Sequence, residues 1–172
     1  MICPAGRDPG RRQPTRAFRS LEFAQQYGTT IPTPEATSSI LPIVKELADS
    51  ITNPADPLPP AFSEEASTEL VRAIFAIGRA NEITSAQATL LLPIILLIAK
   101  HAAPAQAPDE DQARPVTGWG SAPRISAADA LAVLARHASC CTMETCETIR
   151  QLSEDPAPAV RVQIATRVLC LY

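Results

Sequence analysis

The sequence predicts an all-α protein: stacked antiparallel helix pairs, an α-solenoid, preceded by a disordered N-terminal arm. Three observations lead there. Apolar residues recur at helical spacing in six segments, and no stretch alternates apolar and polar residues in the manner of a half-buried strand. Hydrophobic residues make up 46% of the chain but aromatics only 4%, so the core has to be assembled from Ala, Leu, Ile and Val, small aliphatics suited to close helix packing. Finally, 17 Pro against 6 Gly favour helix starts and stiff connections over hairpins.

The 172 residues are enough for one domain with its own core. Residues 1–34 read as a flexible arm. Pro4, Pro9, Pro14, Pro32 and Pro34 interrupt it, and Arg7, Arg11, Arg12, Arg16 and Arg19 charge it. It lacks the apolar core of a signal peptide; its acid-poor, Arg-rich composition is that of a transit peptide, but the Pro spacing spoils an amphipathic helix and favours an unstructured leader. Residues 35–172 are expected to form the helical-repeat domain, interrupted by a loop at 103–124.

The first helix is predicted from Ser38 to Ile51, capped by Ser39, with Ile40, Ile43, Val44, Leu47 and Ile51 as its apolar stripe and Pro42 in its first turn. The second spans Glu64 to Ala80 behind the cap Ser63. Its wide apolar arc implies burial on more than one side. The third spans Ser85 to Ala102, opened by the capping-box pair Thr84 and Gln87. Its centre, Leu90 to Ala99, is apolar all round. That run is short of the roughly 20 residues a membrane span needs, so a buried core helix is expected, kinked at Pro93. After the Pro-rich loop carrying Asp109-Glu110-Asp111 and Trp119, three helices follow. Their expected caps are Ser126, Thr142 and Asp155. The predicted buried rows are Leu131, Leu134, Ala135 and Ala138, then Cys146, Ile149 and Leu152, then Val160, Ile164 and Val168.

Two segments echo one another. Ile40 to Ala48 aligns with Leu91 to Ala99, each with a proline third, and Leu97 to Ala102 aligns with Val133 to Ala138. At the end of the chain, Asp155-Pro156-Ala157-Pro158-Ala159-Val160-Arg161 reads as a tight turn launching a helix. With it, residues 126–172 resemble HEAT-type repeats of the armadillo-like superfamily, whose inter-helix turn pairs Asp-Pro with a following Val-Arg. The resemblance implies that Asp155 caps the second helix of a pair and binds the turn backbone. It also implies that Pro156 and Val160 build the turn and that Arg161 reaches an acidic group of a neighbouring repeat.

Candidate chemistry is sparse. His137, Cys140, Cys141 and Cys146 are the only metal-like group, but adjacent cysteines rarely converge on one ion, so no metal is expected. Five Cys, an odd number with no secretory signal, favour a reducing compartment and a cytoplasmic location. His101 and His137 suit helix C-termini, and the carboxylate pairs suit capping and solvation rather than acid–base work. A net charge of −3 gives no general attraction to nucleic acid. The expected function is therefore a non-enzymatic helical-repeat scaffold or protein-interaction module without a cofactor, part of a larger protein or assembly. Its partner, a protein or neighbouring repeats, would dock through the open C-terminal end at Val168 to Tyr172. The alternatives are a HEAT-like nucleic-acid-binding protein or enzyme, and a membrane-associated helical protein.

Overall fold

Proline opens most of the helices. The structure, a computed structural model, describes residues 33–53, 60–79, 83–105 and 122–168. Among them are six α-helices and no strand: α1 (Pro34–Thr52), α2 (Pro60–Arg79), α3 (Ser85–Ile98), α4 (Pro123–Leu134), α5 (Met143–Ser153) and α6 (Pro158–Val168). A single 3-10 turn, Ala138–Cys140, precedes α5. The expectations for the arm, for Trp119 and the acidic loop, and for Leu169 to Tyr172 fall outside the described residues.

Three predicted starts are corrected, and so is a fourth, that of α6, which begins at Pro158 and not directly after Asp155. α1 begins at Pro34, inside the segment assigned to the arm. Its cap is Thr33, whose Oγ1 accepts the Ala36 amide at 3.3 Å, while Ser39 lies within the helix and donates to the Glu35 carbonyl. α2 starts at Pro60, ahead of Ser63, and α4 starts at Pro123, leaving Ser126 buried in its interior. The reason is common to all three. A proline at the first helical position lacks an N–H that would have no intrahelical acceptor, so it starts a helix at no cost. The two threonine starts stand as read. Thr84 and Gln87 exchange both capping-box hydrogen bonds, at 3.2 and 2.9 Å. Thr142 accepts the Thr145 amide at 3.1 Å.

α1 and α3 share more than the echo in their sequences. Each runs unbroken through a proline that is its ninth residue, Pro42 and Pro93, nine positions after a capping threonine. So Pro42 is not in the first turn. The buried residues Ile40, Val44 and Leu47 correspond to Leu91, Ile95 and Ile98, all displaced by 51 positions, as are the caps Thr33 and Thr84. The second echo has a different origin: Ile98 and Leu134 are the last residues of α3 and α4, each followed by a C-cap alanine.

α4 is the hub. It packs against α2, α3, α5 and α6, and the α2–α4 seam is the most extensive in the molecule. Gly78, next to last in α2, lies on Val133, next to last in α4, so the two helices bring their C-terminal ends together. A Cβ at position 78 would stand 2.9 Å from Val133 Cγ1. The largest fully buried side chains are aliphatic, among them Leu70, Ile74, Leu131 and Val160, while Phe62 and Phe75 are only partly buried. The α5 row is shifted from expectation: Thr145, Thr148 and Leu152 face inward and Cys146 is exposed.

Two hydroxyls in this core, Thr37 Oγ1 and Ser67 Oγ, are buried without a hydrogen-bond partner. Leaving such a group unsatisfied costs about 1–3 kcal/mol, whereas an apolar group of the same shape does not. Thr37→Val is therefore expected to raise the chemical-denaturation midpoint, with a gain of about 1 kcal/mol. A lower midpoint would show that the hydroxyl is satisfied in solution.

Candidate interaction surface

The turn between α5 and α6 is organised by Asp155. Its Oδ1 accepts the Ala157 amide at 2.8 Å, and α6 begins only at Pro158, so Asp155 braces the bend from three residues outside the helix. Pro156 sits in that bend, and Val160 is fully buried in the first turn of α6. Among the described residues Arg161 reaches no acidic side chain. It folds back on its own turn and donates to the carbonyls of Asp155 and Pro156, at 2.6 and 3.2 Å.

The long-range contact comes instead from Arg124, which sequence reasoning passed over. Its Nε donates to Asp155 Oδ2 at 2.9 Å and its Nη2 to Oδ1 at 3.2 Å, a two-pronged pair with both side chains nearly buried. Nη1 donates to the carbonyls of His101 and Ala102, and Nη2 also to that of Pro104, each at 2.7 Å. All five guanidinium donors are used. One signal for this was in the sequence. A cation in the first turn faces the positive end of the helix dipole, an unfavourable place unless a stronger partner waits elsewhere.

A second polar bridge crosses from α4 to α6. Asp129 accepts from Gln163 Nε2 and from Arg167 Nε, which is why Gln163 and Arg167 are half-buried rather than solvated. The Arg167 guanidinium also lies over the Phe75 ring of α2, 5.4 Å from its centre, and Arg79 lies over the same ring at 5.6 Å. With the Arg124–Asp155 pair near the starts of α4 and α6, this bridge fixes the two helices in the same direction. On the outside of α5, the Glu147 carboxyl is held down to about 2 by hydrogen bonds from Arg150 and Gln151. That cluster is exposed and screened by solvent, so it contributes little to the fold.

Among the described residues α3 carries an exposed apolar face. The expectation of a fully buried helix is corrected: Leu90 is 47% and Leu97 49% exposed, and Pro93 between them is exposed as well. Their spacing puts the leucines on one face with the partly buried Ile94. Beside that face, α1 and α3 enclose a shallow cleft of about 120 Å³. Leu41 and Ala48 line it from α1, and Leu90, Leu91 and Ile94 from α3; Lys45 and Asp49 stand at its rim. Among the described residues no helix is long and apolar enough to cross a membrane.

The titratable groups elsewhere are dispersed. Burial pushes the Cys140 thiol up, which leaves it a poor nucleophile at neutral pH. The exposed Cys141 donates its thiol to the Ala135 carbonyl. His101 Nδ1 accepts the Ala103 amide and so shapes the turn after α3. Among the described residues no three His, Cys, Asp or Glu side chains converge to hold a metal ion. No protein-family model, curated protein or solved structure matches this chain.

Proposed function

We propose that this protein is a non-enzymatic helical-repeat module that binds another protein through the α1/α3 face. In this reading α1/α2, α3/α4 and α5/α6 are the stacked pairs of a HEAT-like solenoid, working in the cytoplasm. Three contacts within pairs and the row α2–α4–α6 support the arrangement, as does the constant displacement between α1 and α3. The observation that carries the function is the half-exposed pair Leu90 and Leu97 beside an apolar cleft. Clustered exposed apolar side chains next to a groove are costly to leave in water and favour a docking surface.

Photo-crosslinking in cells tests this. A benzophenone amino acid at position 90 should yield a covalent protein adduct, and the same group at the exposed position 151 on α5 should not. A folded protein giving no adduct from position 90 or 97 would remove the reading.

A further inference from the structure

We infer that the partner on the α1/α3 face is a second copy of this chain, paired about a twofold axis that passes between Lys45 and Asp49. This rests on the reading of that face as an interaction surface. Lys45 and Asp49 are four residues apart on α1, so both project on the same side, at the rim of the apolar cleft. Both are exposed, and neither makes an ion pair among the described residues. Their order explains part of this. A lysine N-terminal to an acid at this spacing runs against the helix dipole and gains less than the reverse order.

Such a rim is complementary to itself. In a twofold pair each surface patch meets its own copy, so residue i touches j and j touches i. Two α1 helices crossing antiparallel over this point place Lys45 of one copy against Asp49 of the other, twice. The same rotation lays the exposed Leu90 and Leu97 of α3 against an equally apolar neighbour. Apolar centre and paired charges at the rim are the usual division of such interfaces. The charges contribute orientation and exclusion of wrong partners more than affinity.

Sedimentation equilibrium on the full chain tests the proposal. The wild type should be a dimer at micromolar concentration. Lys45→Asp and Asp49→Lys each place like charges across the axis and should weaken association tenfold or more, on the order expected for such juxtaposition. Neither residue is in the core, so both variants should keep their helical circular dichroism. Mixed in equal amounts, the two variants should form a heterodimer, because the reversed charges then match on both sides of the axis. A monomeric wild type, or a dimer indifferent to both reversals, overturns the proposal. If position 90 still crosslinks to a different protein, the face remains a docking surface and only self-pairing fails.

Discussion

Arg124→Ala is expected to cost about 3–5 kcal/mol of stability, because it leaves the Asp155 carboxylate nearly buried and without its counter-charge. The loss is asymmetric. The carbonyls of His101, Ala102 and Pro104 lie near the surface, where water can replace the guanidinium. Asp155 keeps only the Ala157 amide. Arg124→Lys should recover little of this, since an ammonium has three donors and no flat fork to span five acceptors. Urea unfolding of Arg124→Ala, Asp155→Ala and the double variant gives the coupling directly. A double variant about as stable as either single one is the expected pattern. Independent, additive effects would mean that the pair does not fasten α6 to the rest.

The other large effect is expected at Leu131. It is fully buried in α4, the helix that touches four others, so Leu131→Ala removes methyl groups where no neighbour can collapse inward without disturbing a second seam. The expected loss is about 2–5 kcal/mol, the range for such truncations in close-packed cores. Leu97→Ala should cost no more than about 0.5 kcal/mol, since half of that side chain already faces water. Equal effects at the two positions would contradict the packing described here.

All six helices were legible in the sequence because apolar periodicity is a local property. Their starts were legible only where a threonine opened them. At α1, α2 and α4 a proline stands three to five residues before a serine, and the serine imitates a cap while the proline imitates a break. The Asp155 bend could be read because its own neighbours make it. Its partner could not, since Arg124 lies 31 residues upstream and only the packed fold brings the two together. The exposed face of α3 was hidden for another reason. α3 is apolar on every side, so its pattern marks no face as outward. Which side stays open is decided by where α4 and the 3-10 turn come to rest.

The prolines of α1 and α3 have a mechanical consequence. Each stands inside its helix as the ninth residue, whereas α2 and α4 carry proline only at their first residue. A proline within a helix deletes one rung of the hydrogen-bond ladder and softens it there. α1 and α3 are thus softened at their ninth residues, whereas α2 and α4 run on without an internal proline. Local bending is therefore expected first in α1 and α3.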